Sequence, residues 1–395
     1  MVTSKVQFNG RPVWAEISLS SLAHNLRAIR RHVGRRRRVL AIVKANAYGH
    51  GAVPVAKTLG RAGADWFGVT STAEGVELRE SGIRQPILVL SGFWPGEERL
   101  LVAHRLTPAI TQIEQLHHLE RAVAGAARSQ RFPARPFDVH LKIDTGMNRL
   151  GIPPADLGKF VRALADCPRL RLDGTFTHFA SAEVFTTDQT EQQEALFRSA
   201  LDGLRSLRVD PGTVHLANSA AIAARPDTWA DMVRPGALLY GYHQFFEPAE
   251  RKTEMEEKLP LRPAFSLRAR VISLRNVPSG VGVGYSARFV TGRPSRIAVL
   301  AAGYADGIVR SLTNRGRVLL RGRCAPLVGV VSMDLTMVDV TELPEVRLGD
   351  VATIYGIAGP QGPTIWASDV ARLLGTVTSD LLCSVGHRVP RFYRP

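Results

Sequence analysis

An apolar strand is an awkward place to end on a lysine, yet the stretch RVLAIVK ends on Lys44. Other apolar runs close on residues of comparable chemical interest. FDVHLKID ends with Lys142 and Asp144, LRLDGTFTHF carries His178, TVHLANS runs into Asn218 and Ser219, and DMVRPGALLYG holds Arg234 and Gly236. An amine in a partly desolvated pocket gives up its proton more readily, because burial disfavours the charged form. A neutral lysine can form a Schiff base with an aldehyde, the usual anchor for pyridoxal phosphate. Gly236 would let backbone amides approach a phosphate, and the hydroxyls of Tyr48 and Ser219 would add donors. Taken singly, these are ordinary loop residues. Their convergence at strand ends is what points to chemistry.

Side chains at the C-terminal ends of barrel strands face the mouth where barrel enzymes keep their sites. The elements carrying these residues therefore decide the reading. From about residue 14 to 243, the strand candidates are RVLAIVK, WFGVT, PILVL, TPAI, FDVHLKID, LRLDGTFTHF, TVHLANS and ALLYGY. Helical patterns alternate with them around VPVAKTLGRAG, TAEGVELRESG, EERLLVAHR, IEQLHHLERAVAGA and ADLGKFVRALADC. Repeated strand-then-helix units mean a parallel sheet. About eight units over roughly 230 residues predict an α/β fold of the (β/α)8 TIM-like barrel type. An open doubly wound sheet is the alternative, since pattern alone does not show closure.

The texture changes after residue 243. EPAERKTEMEEKLPLRP reads as a boundary, and beyond it come FSLRARVISLRNV, SRIAVLAAGY, RVLLRGRCAPLVGVV, MVDVTEL and DVATIYG, separated by glycine and proline. ASDVARLLG is the one clear helical interruption. These segments predict a mostly antiparallel, β-rich C-terminal domain. The expected division is a barrel over residues 14–250 and a β-rich domain over 251–395, joined by a strand from 1–13.

With 395 residues, 45% hydrophobic and 22% charged, the chain is an ordinary globular protein with room for both domains. Its net charge of +16 is spread along the sequence, and the only tight cluster is Arg35–Arg38. No zinc-finger spacing, recognition-helix pattern or RRM-like aromatic signature accompanies that cluster, so no nucleic-acid partner is expected. The cysteines Cys167, Cys324 and Cys383 are too scattered for a disulfide framework or a metal site, which points to a reducing compartment. MVTSKVQFNG lacks the apolar core of a signal peptide. No apolar run approaches the roughly 20 residues that cross a bilayer. A cytoplasmic protein with no membrane partner is the expectation.

AIVKANAYGHG, LKIDTGMNRLG, THFA, ANSAA, MVRPGALLYG, VGVGYSARF, AAGYADG, VGVVSMDLTMVDV and HRVPR follow one another over nearly the full length. In that order they resemble the alanine racemase family, pyridoxal-phosphate enzymes with a barrel and a β-rich C-terminal domain. The resemblance implies that pyridoxal 5'-phosphate is the cofactor and that Lys44 holds it and serves as one catalytic base. It implies that Tyr48, Ser219, Gly236 and Ala237 surround the phosphate, that Arg234 faces the pyridine nitrogen, and that His178 supports Arg234. A guanidinium does not readily give up its proton, so the ring nitrogen would stay unprotonated, a weaker electron sink that discourages transamination.

Racemisation by two bases needs one on each face of the planar carbanion, and Tyr285 matches the family's second base. Free tyrosine titrates about three units above neutral pH, roughly 4 kcal/mol against ionisation, so nearby positive charge has to offset part of that. Arg149 would reach the phenolic oxygen of the cofactor and the substrate carboxylate, and Lys142 matches a lysine carbamylated in many relatives to brace that arginine. A plain ion pair between Lys142 and Asp144 or another acid is the simpler alternative. The resemblance also implies a homodimer with shared sites, in which Tyr285, Tyr304 and Met333 act from the neighbouring chain on a small amino acid. Three positions depart from the family pattern. Ser379 of TSDLLC stands where a tyrosine is common, Leu335 where glutamine is frequent, and Ser332 where cysteine is common.

Rival readings follow from the same residues. A same-fold racemase of serine or basic amino acids, or a decarboxylase, would share the barrel and Lys44, although a decarboxylase would want a carboxylate where Arg234 stands. A non-catalytic pyridoxal-phosphate carrier would need neither the second domain nor Tyr285. SGVGVGYS imitates a dinucleotide fingerprint, but no helix follows it. Asp306 and Asp334 imitate an acid/base pair without any supporting metal-like spacing.

Overall fold

A computed structural model describes residues 10–128, 136–359 and 362–395. The chain divides into two compact units. One comprises Ser21–Ala47 with Ala52–Arg262, and the other takes the chain up to Ser20, Tyr48–Gly51 and Pro263–Pro395. The strands are, in chain order, β1 (Val13–Ser18), β2 (Arg38–Ile42), β3 (Trp66–Val69), β4 (Ile87–Val89), β5 (Thr107–Ile110), β6 (Phe137–Lys142), β7 (Leu170–Phe176), β8 (Thr213–His215) and β9 (Met232–Val233).

Strands β2 to β9 form an eight-stranded parallel sheet in the order β8-β7-β6-β5-β4-β3-β2-β9. Its ends meet through backbone bonds from Asp231 to Val214 and from Arg234 to Ala217, 3.0 Å each. The sheet therefore wraps into a nearly closed barrel, and the open-sheet alternative is set aside. β3, β4 and β5 are buried at every position, as expected of parallel strands covered on both faces. The covering helices supply apolar stripes at helical spacing. Leu19–Val33 buries Leu22, Leu26, Ile29 and Val33 along one side.

The eighth strand lies elsewhere than expected. ALLYGY was the expected strand, but Met232–Val233 is the observed one, and Ala237–Tyr240 is a tight 3-10 turn. Pro235 has no amide to give to a ladder, and Gly241, at φ 95°, turns the chain away. The hydroxyl of Tyr240 donates to the carbonyl of Ile42 at 2.8 Å, which pins the turn beneath β2.

The second unit adds β10 (Phe265–Val277), β11 (Gly282–Val283), β12 (Phe289–Val290), β13 (Ser295–Leu300), β14 (Arg317–Leu320), β15 (Arg323–Pro326), β16 (Thr336–Asp339), β17 (Val351–Ile357), β18 (Thr364–Ile365) and β19 (Arg391–Arg394). Long β10 is its spine. It pairs antiparallel with β1, β13 and β17 in a nine-stranded, mostly antiparallel sheet. β1 continues it on the other side by pairing parallel with β19. Two limits differ from the expected division. The charged stretch around residue 250 forms helix Arg251–Lys258 within the barrel unit, and the units part after Arg262. The N-terminal strand covers Val13–Ser18; residues 1–9 of the expected 1–13 segment lie outside the described residues.

Candidate active site

Lys44 leaves β2 into an unusual turn. Ala45, Asn46, Ala47 and Tyr48 all carry positive φ, from 51° to 53°. An L-residue held in the left-handed conformation costs about 1–2 kcal/mol, so the surroundings have to impose it. Glu74 does part of this. Its Oε1 accepts the Ala45 amide at 2.7 Å, and its Oε2 accepts the Thr70 amide at 2.7 Å. Ser71 and Glu74 also form the capping box of helix Thr72–Glu80, so one carboxylate orders a helix start and the residue after Lys44 together. The side-chain oxygen of Asn46 accepts the Ala52 amide at 2.7 Å and closes the turn.

Lys142 ends β6 and is buried, with its Nζ 5.7 Å from the centre of the Phe176 ring. Burial, then the charges of Arg149, Arg234 and Lys44, lower its pKa to about 8, against the opposing pull of Asp144. Among the described residues no ion pair joins Lys142 to an acid. The Asp144 Oδ1 is occupied instead by the amides of Gly146, Met147 and Asn148, each at 3.0 Å. This turn carries Arg149 outward, and the chain returns through bonds of Asp144 and Lys142 to Ile152. Gly151, at φ 133°, permits the return, because a Cβ there would lie 2.7 Å from the Asp144 nitrogen.

Arg234 is buried and fully engaged at its two terminal nitrogens. Nη1 donates to the His215 carbonyl at 2.7 Å and to His215 Nδ1 at 3.0 Å. Nη2 donates to the carbonyls of Thr177 (2.7 Å) and Leu216 (2.8 Å) and meets His178 Nδ1 at 3.3 Å. Burial lowers its pKa to about 9. His178 is driven well below the ordinary histidine range by burial, then by Arg234, Lys142, Arg149 and Lys44. The barrel unit thus gathers Lys44, Lys142, Arg149 and Arg234 around the neutral ring of His178.

Beside it, Ser219 opens helix Ser219–Ala224, with Asn218 as the cap accepting the Ala221 amide at 3.1 Å. The Ser219 Oγ accepts the amide of Gly236 at 2.8 Å, and Ala237 begins the following 3-10 turn. Two chain turns are thereby joined at one small hydroxyl. Sequence reasoning missed Glu74, Thr177 and His215. The S-x-x-E box of Ser71–Glu74 was legible as a signal, while His215 gave only an interior strand position.

The remaining expected residues belong to the other unit. Tyr48 has its pKa pushed up to about 12 by burial and by Cys383. Its segment is pressed close to neighbours, since a Cβ at Gly49 would lie 2.3 Å from the Leu382 carbonyl oxygen. Tyr285 stands 69% exposed on a short turn between β11 and β12, directly after Gly284 at φ 74°. Tyr304 and Met333, 41% and 53% exposed, are brought together by backbone bonds from Tyr304 to Ser332 (2.9 Å) and from Ala305 to Met333 (3.1 Å). Ser332 and Leu335 form the turn around Met333, with the serine hydroxyl accepting the Leu335 amide at 3.1 Å. Asp306 is fully buried and takes Arg388 at 2.7 and 2.9 Å, while Asp334 takes Arg388 at 2.9 Å. The two aspartates are therefore structural ion-pair partners. Ser379 lies in helix Thr378–Cys383. Among the described residues no cluster of histidine, cysteine and acidic side chains forms a metal site, and no helix is long and apolar enough to cross a membrane.

A parallel barrel with cations gathered behind its lysine-tipped strand, in one chain with an antiparallel β unit, defines a two-domain barrel enzyme. Family models described as "Alanine racemase, N-terminal domain" and "Alanine racemase, C-terminal domain" match residues 17–244 and 264–393. An alanine racemase from Halothermothrix orenii is 40% identical over 97% of each chain, and one from Geobacter sulfurreducens is 39% identical over 98% of each. Among solved structures, alanine racemase from Streptomyces lavendulae superposes with a TM-score of 0.88 at 34% identity, covering 98% of each chain. Alanine racemase from Bacillus anthracis with bound L-Ala-P superposes with a TM-score of 0.88 at 33% identity, covering 99% of this chain and 96% of that one. The chain belongs to the alanine racemase family, and it is an enzyme of that family.

Proposed function

We propose that this enzyme interconverts L-alanine and D-alanine on pyridoxal 5'-phosphate. The observation that carries the reading is the cationic group of Lys44, Lys142, Arg149 and Arg234 around His178, next to the Ser219–Gly236 junction. The donor set suits the cofactor. None of the five hydrogen bonds made by Arg234 uses its Nε–H, which remains as a donor toward a ring nitrogen. The Ser219 hydroxyl accepts the Gly236 amide and keeps its own proton to give to a phosphate oxygen. Lys44 would hold the aldehyde carbon, with Tyr48, Ser219, Gly236 and Ala237 about the phosphate. When bound, the cofactor delocalises the electron pair left at the substrate α-carbon.

The chain's own residues then handle charge and protons. Arg149 orients the substrate carboxylate by charge-assisted hydrogen bonding. Lys142, carrying an amine that is partly neutral near pH 8, takes up carbon dioxide and braces Arg149 as a carbamate. Arg234, a cation, leaves the ring nitrogen without a proton, and His178 supports it. The Lys44 Nζ removes or returns the α-proton on one face. The Tyr285 Oη does so on the other, from the partner subunit of a homodimer, where Tyr304 and Met333 line the substrate entrance. The exposure of Tyr285, Tyr304 and Met333 supports a covering partner chain. All three cysteines are free, which suits a reducing cytoplasm.

The test is to incubate the enzyme with L-alanine, L-serine and L-arginine in heavy water and to assay chirality and α-deuterium. Racemised alanine with α-deuterium is the expected result. Deuterated serine or arginine without alanine exchange would favour the broader racemase, loss of carbon dioxide the decarboxylase, and cofactor binding without exchange the carrier. Tyr285→Phe is expected to suppress racemisation in both directions while leaving the cofactor colour.

A further inference from the structure

The interior of the barrel behind Arg234 is polar along one line. Arg234 Nη1 lies 3.0 Å from His215 Nδ1, and a guanidinium has no acceptor, so Nδ1 accepts. A neutral imidazole carries one N–H, which is then on His215 Nε2. That nitrogen lies 3.0 Å from His140 Nδ1, which must accept and leaves the His140 proton on Nε2. His140 Nε2 faces the Asp173 Oδ2 at 3.8 Å, too far for a hydrogen bond, and has no hydrogen-bond partner among the described residues. With both rings neutral, the heavy-atom distances give each one tautomer and a single direction of hydrogen bonding, guanidinium to ring to ring, with the Asp173 carboxylate facing the last N–H. Burial, then Arg234, drives His215 well below the ordinary histidine range, and burial lowers His140 against the opposing pull of Asp173 and Asp138, so both rings favour the neutral form.

The packing is built around these rings. His215 stacks on Phe176 with centres 4.7 Å apart and planes 9° from parallel, and His140 packs on Trp66 at 5.2 Å. Gly174 on β7 leaves the space for His140, since a Cβ there would lie 2.6 Å from the ring. Asp173, at the far end, is held by Arg171 at 3.1 Å. Both line a cavity of about 760 Å³ together with Arg38, Asp138 and the strand starts Trp66 and Phe137. The cavity therefore opens at the end of the barrel opposite the strand ends that carry Lys44 and Lys142. Arg234 itself is surrounded by neutral acceptors, and its hydrogen-bond chain ends at His140, whose Nε2 faces the Asp173 carboxylate at 3.8 Å, an electrostatic contact rather than a hydrogen bond.

We propose that His140 and Asp173 are positioning residues for Arg234, fixing the plane and charge of the guanidinium through His215 from the opposite end of the barrel. The inference rests on the role proposed above for Arg234, but the chain can be read without it. In protein labelled with nitrogen-15 histidine and stripped of cofactor, His215 and His140 are expected as Nε2–H tautomers. A protonated Nδ1 on His215 would overturn the chain whatever the activity. In the holoenzyme, Asp173→Asn and His140→Phe are expected to lower kcat about tenfold, the lower end of the loss seen when partners that orient metal ligands are removed. They should leave KM for alanine within about twofold and shift the visible absorption band of the bound cofactor. Asp173→Glu is expected to restore both. Unchanged kcat and unchanged absorption in folded variants would refute the proposal. Asp173→Asn preserves shape and volume, so it decides the matter even should His140→Phe fail to fold. An intact tautomer pattern in a protein that racemises nothing would support the chain while refuting the functional reading.

Discussion

The amide of Gly236 donates to the hydroxyl of Ser219 at 2.8 Å, tying the start of helix Ser219–Ala224 to the turn that begins at Ala237. One buried oxygen thus orders two chain turns, whose amides would face the phosphate on the function proposed above. Ser219→Ala leaves the Gly236 amide without its partner and, on the proposed function, removes one donor to the phosphate. A hydrogen bond to a charged group contributes about 1.5–3 kcal/mol, so cofactor affinity is expected to fall at least about tenfold. Equilibrium dialysis of the cofactor against the variant measures this. Unchanged affinity would place the phosphate elsewhere.

Lys142 makes a pH prediction. Its pKa is lowered from 10.5 to about 8, with burial as the first cause. The folded state therefore binds fewer protons than the unfolded state between those values, and stability rises with pH across that window. Below about pH 8 the cost of the buried charge is present in full, and above about pH 10.5 it is gone. Lys142→Met is expected to abolish this part of the pH dependence. Urea denaturation in buffer freed of carbon dioxide, at several pH values across the window, is the measurement.

The same amine predicts a chemical modification. Neutral amine and carbon dioxide give a carbamate and release a proton, so uptake is expected to increase through pH 8. Carbon-13 labelled carbon dioxide should give a carbamate resonance in the wild type and none in Lys142→Arg, whose guanidinium stays protonated. An identical spectrum from the two proteins would remove the carbamate from the reading.

Much of this was legible in the sequence, for definite reasons. Buried parallel strands are short apolar runs, so RVLAIVK, FDVHLKID and TVHLANS declared both the barrel and the strand ends where Lys44, Lys142 and Ser219 sit. ALLYGY misled because its apolar residues are buried by a turn, and a turn packed against a strand has the same composition as a strand. The supporting polar residues were harder to read. Arg388 pairs with Asp306 across 82 positions, and His140 with His215 across 75, separations that no local pattern records. Glu74 was the exception, since a capping box is a local signal.

Glu74 also couples a helix cap to the turn after Lys44. Glu74→Ala removes the acceptor for the amides of Ala45 and Thr70. Loss of a cap costs about 0.5–2 kcal/mol, and the left-handed residues Ala45 to Tyr48 lose one of the contacts that impose their conformation. The expected outcome is a loss of stability in that range together with a larger fractional fall in kcat. Adding Ala45→Gly, which relieves the left-handed conformation at an exposed position, should recover stability without recovering kcat. Recovery of both would mean that Glu74 acts through stability alone.

Asp306 makes the sharpest test of the second unit. Its buried carboxylate holds the guanidinium of Arg388, accepts the Gly303 amide at 2.9 Å and lies 3.5 Å from Arg11. Gly303 is pressed so close to the Ser332 carbonyl oxygen, 2.3 Å from where a Cβ would be, that this cluster sets the spacing of the Tyr304 and Met333 segments. Asp306→Ala removes the buried carboxylate that Arg11 and Arg388 share and leaves them only the half-exposed Asp334. Breaking a buried pair costs about 3–5 kcal/mol, and the partial exposure of both arginines brings the expected loss to about 2–3 kcal/mol. Asp306→Asn keeps the amide contact and loses the charge, so it should fall between Ala and wild type. If Tyr304 and Met333 border the substrate, both variants raise KM for alanine more than they lower kcat. A fall in kcat alone, with KM unchanged, would separate this cluster from substrate entry.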